Sequence, residues 1–294
     1  MFYRRKIILA LLQEFANQLD KIALQKLLFL FTTRQQKPEY DFVPYLYGCY
    51  SFSAIADLAA MVRNGNIAEA KNHYAALEKP NYSSSLTTQD QKILKEIKQA
   101  YGKLSASALM KLTYVNYSYY AINSVKAKSI LTDEQYNKVL ASRTVTDATQ
   151  LFTIGYEGIS LEAYFNKLIK NDVKVLVDVR SNPLSMKFGF SKTLLRKFCE
   201  NLNIQYLHIP EVGIKSEQRQ QLNSQADYDQ LFSVYRKRNL TETVTQQQQI
   251  LDLLKEKKRI ALTCFEANIC QCHRKHLAEA ITGLPGWKYE LKHI

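Results

Sequence analysis

The spacing of apolar residues along the chain changes near residue 148. Before that point, apolar residues recur every three or four positions, which is the period of one face of a helix. We expect the first helix to be amphipathic, with Ile7, Leu11 and Phe15 on its apolar face. The same pattern predicts two helices within 2–31 and further helices over 53–64, 89–104, 105–116 and 132–142.

After Gln150, short runs of apolar and β-branched residues alternate with helical stretches. The predicted strands lie within 151–158, 173–183, 204–213, 259–266 and 287–294, and the predicted helices over 160–171, 191–203, roughly 226–257 and 272–283. This alternation is typical of a mostly parallel sheet with helices on its faces. The fold class expected is therefore α+β and α/β: a mostly helical, winged-helix-like domain over 1–147, then an α/β domain over 148–294.

Composition limits the classes of protein that remain. Apolar residues make up 46% of the chain and charged residues 23%, a composition typical of globular proteins. No run of about eighteen apolar residues occurs, which argues against a membrane span. Five cysteines is an odd number, and we read the basic, apolar start as a helix rather than an export signal. Reduced thiols and a cytoplasmic location are therefore expected.

The chain is strongly basic. It has 40 Lys and Arg against 27 Asp and Glu, a net charge of +13. Residues 1–150 carry 19 basic and 12 acidic residues, a net +7, and the remaining residues carry +6. This spread favours a phosphate-rich partner, nucleic acid first and DNA before RNA. A basic protein without such a partner remains the alternative.

Polar residues follow four of the predicted strands. Ligands of open parallel sheets bind beyond the carboxyl ends of the strands, so we expect these residues to converge. They are Tyr156 after the first strand, Asp178, Arg180 and Ser181 after the second, His208 after the third, and Cys264 and Glu266 after the fourth.

Several of these residues also have a purely structural interpretation. Asp178 could pair locally with Arg180, Tyr156 could close the core, and His208 could be a hydrogen-bonded histidine at its edge. Glu266 is harder to explain structurally, because a carboxylate directly after an apolar strand needs a partner.

Residues 263–274 place three cysteines, a glutamate, a histidine and an arginine in twelve positions. Cys272, His273 and Arg274 open a predicted helix, whose first N–H groups favour anions. Arg274 could hold a phosphate, and the helix start could lower the pKa of Cys272 and make it nucleophilic. Alternatively, Cys272 is a small buried residue.

A zinc site would use Cys264, Cys270, Cys272 and His273. Their spacing lacks the paired C-x2-C pattern of structural zinc sites. The sequence therefore disfavours zinc, and we expect no cofactor.

The second half resembles the bacterial family called domain of unknown function 488. The resemblance lies in TIGYEG, DVRSNPLS, YLHIPEVG and CFEANICQCHR, in that order. The family pattern Cys-x-Glu followed by Cys-His-Arg falls on Cys264, Glu266 and 272–274. Tyr156 stands where many members have histidine, and Met186 where an arginine is often found. The resemblance implies a site but no reaction.

The first half resembles the winged-helix-type domains of the Panacea and SocA-like antitoxin group. The residues that carry this resemblance are 24–31, 40–53 and 58–67, with Cys49 in place of a proline in the middle segment. The resemblance implies a module that binds nucleic acid or a protein partner.

These observations favour a nucleic-acid-associated enzyme, hydrolytic and acting on a modified base or a phosphoester. Glu266 or Asp178 would be the general acid or base, and Cys272 or Cys264 a nucleophile. Substrate or phosphate would contact Tyr156, Arg180, Ser181, His208, His273 and Arg274. A sensor without catalysis and an antitoxin-like binding protein are the alternatives, and the domain pairing fits defence or repair.

Overall fold

The computed structural model describes residues 1–77, 80–219 and 222–294. The chain divides into two compact units, Met1–Arg143 and Thr144–Ile294. Each unit has its own hydrophobic core.

The first unit is mainly helical. Its helices are α1 (Tyr3–Glu14), α2 (Lys21–Thr32), α3 (Phe52–Arg63), α4 (Thr88–Tyr101), α5 (Ala106–Asn116), α6 (Ala127–Ile130) and α7 (Asp133–Ala141). Its strands are β1 (Gln18–Asp20), β2 (Val43–Tyr45), β3 (Gly48–Tyr50), β4 (Ile67–Glu69) and β5 (His73–Ala76). β1, β5 and β4 form an antiparallel sheet in that order, and β2 pairs with β3.

Helix α1 corrects one expectation from the sequence. All six residues from Ile7 to Leu12 are fully buried, so this middle part of α1 is buried on every side instead of being amphipathic, while the two ends of the helix are partly exposed. The helices that follow begin at hydrogen-bonded caps: Asp20 accepts from two N–H groups of α2, Ser51 from one of α3, and Thr87 from one of α4.

The second unit has α/β architecture. Its strands are β6 (Gln150–Gly155), β7 (Val175–Asp178), β8 (Gln205–His208), β9 (Arg259–Cys264) and β10 (Glu290–His293). Its helices are α8 (Leu161–Lys170), α9 (Lys192–Asn201), α10 (Gln225–Lys237), α11 (Asn239–Glu242), α12 (Val244–Lys257) and α13 (His273–Thr282). The five strands form one sheet in the order β10-β6-β9-β7-β8, and every pairing is parallel. The α+β and α/β fold class predicted from the sequence is confirmed, while the winged-helix-like character of the first domain stays a prediction.

The central strands explain why this sequence builds a parallel sheet. Every residue of β7 and β9 is buried, as expected for strands covered by helices on both faces. The edge strand β10 is mostly exposed. Ser160 caps α8, whereas Ser191 precedes α9 without a side-chain cap bond.

The register of the sheet aligns the strand ends. Gly155 pairs with Cys264, and Asp178 pairs with Thr263 on one side and with His208 on the other. The residues that follow β6, β9, β7 and β8 therefore leave the sheet on the same side, at the carboxyl ends of the strands.

No helix among residues 1–77, 80–219 and 222–294 is long and apolar enough to cross a membrane.

Candidate active site

Two cysteines and a histidine meet at the end of the central strand. Cys264 ends β9, while Cys272 and His273 begin α13. One ligand atom from each of these side chains lies within 4.8 Å of the other two. Sγ of Cys264 is 3.6 Å from Nδ1 of His273. All three residues are at most 2% exposed, so the cluster is shielded from solvent.

A hydrogen bond fixes the orientation of the histidine. Nε2 of His273 lies 3.0 Å from the carbonyl oxygen of Val179, which follows β7. Because a carbonyl only accepts, Nε2 carries the proton and donates it. Nδ1 of the neutral ring is then the unprotonated nitrogen, and it faces the thiols.

Glu266 and Arg219 complete this cluster. Oε2 of Glu266 is 3.2 Å from Sγ of Cys264, and its carboxylate forms an ion pair with Arg219. The guanidinium of Arg219 also lies 2.8 Å from Nδ1 of His273. The side chain of Glu266 is only 13% exposed. Arg219 is therefore the partner that we expected for a carboxylate directly after an apolar strand.

Sequence reasoning missed Arg219. It lies in a single turn of 3₁₀ helix, Ser216–Arg219, in the connection between β8 and α10. That connection has no apolar period that would place Arg219 near a strand end 47 residues later. Only its positive charge in a site rich in carboxylate and thiol groups could have suggested it.

The two thiols differ in acidity. Burial by itself raises the pKa of Cys264, but the hydrogen bond from Cys272, the positive charge of His273 when its ring is protonated, and that of Arg219 lower this pKa well below its usual range. Burial and the negative Cys264 raise the pKa of Cys272. These directions differ from the expectation that the helix start lowers the pKa of Cys272, because the negative charge of the pair is favoured on Cys264.

Asp178 is held away from this cluster by an internal ion pair. It is fully buried, and its two oxygens accept hydrogen bonds from Arg180 at 2.8 and 2.5 Å and from Tyr206 at 2.6 Å. The predicted acid–base role of Asp178 needs correction, because both oxygens are engaged and the residue does not line the cleft described below. Its structural interpretation, a local pair with Arg180, is the one that the contacts support.

Arg180 is largely occupied as well. Besides Asp178, it donates to the hydroxyl of Tyr156 at 2.7 Å and to the carbonyl of Phe190 at 2.9 Å. Burial alone lowers the pKa of Arg180, but Asp178 and Tyr156 raise it above its ordinary value, so the side chain stays charged. Arg180 thereby positions Tyr156, whose ring stacks on Phe190 with centroids 4.2 Å apart.

The contacts of Arg274 differ from those expected of an arginine that binds phosphate. Its guanidinium donates to the backbone carbonyls of Glu266 and Ala267, and Arg274 is only 3% exposed. It therefore holds the turn after β9, and so positions Glu266. His208 is also engaged, since its ring nitrogens contact Lys192 and the carbonyl of Arg180.

A cleft of about 320 Å³ opens above the thiol cluster. Cys264, His273 and Arg219 form its floor, and its polar walls carry Ser181 and other hydroxyl or amide groups. The full lining is Tyr156, Arg180, Ser181, Asn182, Leu184, Ser185, Ile214, Arg219, Cys264, Phe265 and His273. Five of the residues predicted from the sequence line this cleft: Tyr156, Arg180, Ser181, Cys264 and His273.

The remaining predicted residues have other positions. Glu266 contacts Cys264 from beside the cleft, and Cys272 is fully buried behind it. Cys270, the fourth residue of the zinc set considered from the sequence, is exposed and lies outside the cluster that Cys264, Cys272 and His273 form.

Comparison with known protein families agrees with this picture of the second unit. Residues 160–281 match the family described as domain of unknown function DUF488. The match includes Arg219, Cys264, Glu266, Cys272 and His273, and it confirms the resemblance of the C-terminal half to that family. No curated protein matches the chain.

Proposed function

We propose that the second unit, which contains the DUF488 match, is a hydrolytic enzyme that acts on a base of nucleic acid. The observation that carries this proposal is the contact of a carboxylate with a thiol at the floor of a cleft, with an imidazole beside them. Proton transfer by a positioned carboxylate is a common means of hydrolysis. Glu266 is the general base in this proposal.

The walls of the cleft favour a flat, polar ring as its occupant. Tyr156 and Phe265 supply aromatic surface, while Ser181, Asn182 and Ser185 supply hydrogen-bonding groups. The volume of about 320 Å³ is at the lower end of the range for small-molecule pockets, about 300–1,000 Å³. Enzymes that modify a base extrude it into a pocket of this character.

The contacts of the arginines favour chemistry on a base over cleavage of a phosphoester, because each arginine already has a partner within the protein. Arg180 is held by Asp178, Arg274 by backbone carbonyls, and Arg219 by Glu266. Among the residues that the structure describes, the cleft therefore offers no uncommitted arginine for a phosphate. Enzymes that transfer a phosphoryl group clamp it with arginine, lysine or a metal ion, so the commitment of all three arginines weighs against an arginine clamp on a phosphate here.

An exposed apolar segment beside the cleft supports a nucleic-acid substrate. Leu184, at the rim, is 78% exposed, and Met186 is fully exposed. Side chains of this kind separate stacked bases when a protein inserts them into a duplex. The net charge of +13 supplies the attraction to phosphate.

The test is to incubate the protein with genomic DNA and total RNA, and to analyse the nucleosides and released small molecules by mass spectrometry. We expect an altered or released base with the wild type. Glu266→Gln should lower the rate by about 10²–10⁴-fold without weakening binding, because only proton transfer is lost. The matched control is Glu256→Gln, at an exposed glutamate of α12, which should leave the rate unchanged.

Tight binding with no chemical change in any nucleic acid would overturn the enzymatic proposal and favour a sensor. Absence of binding to DNA and RNA would favour a protein partner instead. A Glu266→Gln variant with undiminished turnover would remove Glu266 from the mechanism.

A further inference from the structure

We infer that Cys264, Cys272 and His273 bind a zinc ion, with the fourth coordination position open to the cleft. Binding of the metal stands on the geometry alone, whereas its role in hydrolysis rests on the proposed function. The sequence-based argument against zinc considered four residues that included Cys270. In the structure, Cys270 lies outside the cluster, and the other three residues lie together.

The distances suit tetrahedral zinc. Zinc lies about 2.3 Å from sulfur and about 2.0–2.1 Å from nitrogen, so at a tetrahedral angle the two ligand atoms are about 3.6 Å apart. Sγ of Cys264 and Nδ1 of His273 are 3.6 Å apart. Sγ of Cys272 is within 4.8 Å of both, so a small movement of this side chain completes three ligands.

The histidine is already in the tautomer that a metal needs. Nε2 donates to the carbonyl of Val179 at 3.0 Å, which leaves the lone pair on Nδ1 directed at the thiols. Histidines that bind metals nearly always donate their other nitrogen to a carbonyl or carboxylate in this way.

The groups at this site suit a metal cation. Two buried cysteines, which bind zinc as thiolates, lie with a nearly buried glutamate, and Arg219 is the cation that contacts this glutamate. Its guanidinium contacts both Glu266 and Nδ1 of His273. Zinc would displace Arg219 from Nδ1, while the ion pair with Glu266 can persist. Arg219 is therefore a competitor of the metal.

Three protein ligands point to a catalytic zinc rather than a structural one. Structural sites use four protein ligands, whereas catalytic sites use three and leave a position for water. Cys264 and His273 line the cleft, so that position faces the substrate. Zinc lowers the pKa of its bound water to about 7, and Glu266, in contact with Cys264, lies within the same cluster.

This arrangement suits the hydrolytic removal of an exocyclic amine from a base, for which a zinc site of histidine and cysteine with a separate glutamate is known chemistry. The oxygen of water bonds to the ring carbon that carries the amine, and Glu266 takes the proton from the water. Glu266 then gives that proton to the departing nitrogen as the C–N bond breaks. The remaining hydroxyl proton moves to the adjacent ring nitrogen, so the products are a ring carbonyl and ammonia or a free amine, and no redox partner is needed.

The test is to purify the full chain under reducing conditions, load it with zinc, remove the excess, and measure bound metal by elemental analysis. We expect one zinc per chain in the wild type. Cys264→Ser and Cys272→Ser should lose it, whereas Cys270→Ser and the buried but distant Cys199→Ser should keep it. Arg219→Gln should bind zinc more tightly, since the competing cation is gone.

Two further readouts guard against misfolded variants. Cobalt loaded into the wild type should give intense thiolate-to-metal absorption in the near ultraviolet. Zinc should also protect Cys264 and Cys272, but not Cys270, from alkylation as mapped by mass spectrometry. Substoichiometric zinc with no cobalt band in the wild type would overturn the inference, and so would metal that is lost only in Cys270→Ser.

Failure of the metal site and failure of the proposed function give different results. Zinc bound at one per chain, with no change in any nucleic acid, would leave the metal site standing and refute the function. Turnover by metal-free protein in the presence of a chelator would refute the role of the metal in hydrolysis and leave the function standing, whereas the stoichiometry and the cobalt band decide binding itself. Glu266→Gln should keep zinc and lose turnover.

Discussion

At the scale of the residue, the role of each charged side chain in the site follows from the groups that it contacts. Asp178 ends the buried strand β7 and Glu266 follows the buried strand β9, so the two look alike in sequence. Asp178 is closed off by Arg180 and Tyr206, whereas Glu266 contacts a thiol and one arginine at the edge of the cleft. Because of this difference, the proposed function gives Asp178 a supporting role and Glu266 a chemical one.

Replacing each carboxylate by its amide should separate these roles. Asp178→Asn breaks a buried ion pair and places an N–H₂ group against donors, so we expect a loss of about 3–5 kcal/mol in the free energy of unfolding. Glu266→Gln should cost less than about 2 kcal/mol, because its pair with Arg219 retains some contact with water. Denaturant unfolding of both variants measures the difference.

The rate per folded molecule provides the second readout. Asp178→Asn should keep substantial turnover once corrected for the folded fraction, whereas Glu266→Gln should not. A stable Asp178→Asn variant with no turnover would restore the acid–base role that the sequence suggested.

At the scale of the element, the end of β6 and the turn after β9 pack backbone against backbone. Gly155 is required by close approach rather than by an unusual φ. A Cβ there would lie 2.0 Å from the carbonyl oxygen of Glu266 and 3.1 Å from Nη2 of Arg274. The absence of a side chain at Gly155 therefore sets where the turn, and Glu266 with it, can lie.

Gly155→Ala should displace the turn after β9 and destabilise the second unit by about 1–3 kcal/mol. Because the turn shields Cys264, alkylation of this thiol should become faster. Gly158→Ala is the matched control: Gly158 has φ +74°, and a Cβ there meets nothing within 4 Å. It should cost about 1–2 kcal/mol through backbone strain without exposing Cys264. Equal alkylation rates in the two variants would show that the turn does not depend on Gly155.

At the scale of the whole molecule, positive charge is spread over both units rather than collected in a tail. Nineteen basic and eleven acidic residues lie in the first unit, 1–143, and 21 and 16 in the second unit, 144–294. A partner with dense negative charge would be attracted to either unit. In the proposed function, the basic residues of both units attract the nucleic acid over long range, and the reaction takes place in one cleft.

Binding to short DNA duplexes should weaken steeply with salt. If about six phosphates or more are neutralised, affinity should fall about 10³-fold or more between 50 and 200 mM salt. Fluorescence anisotropy across a salt series measures this slope, and Glu266→Gln should have the same slope, because Glu266 lies beside the cleft with only 13% of its side chain exposed. A flat salt dependence would mean that the net charge has no role in binding.

The element pattern of the second unit could be predicted from its sequence because each strand and helix carries its own local signal. VLVDV and RIALTC are short apolar runs typical of strands buried on both faces, and Ser160 marks the start of α8. Parallel pairing then brings the strand ends to one edge. The fold class and the convergence of Tyr156 and Cys264 on one cleft follow from these local signals.

Tertiary structure alone decided which polar groups far apart in the chain pair. Arg219 reaches Glu266 across 47 residues through an irregular connection, and local periodicity carries no information about such a contact. Likewise, the sequence spacing of the cysteines disfavoured a metal, yet the end of β9 and the start of α13 bring Cys264, Cys272 and His273 within 4.8 Å. Local sequence determined the elements, because hydrophobic burial and capping act over a few residues. The chemistry of the site depended on distances set by packing between elements far apart in the chain.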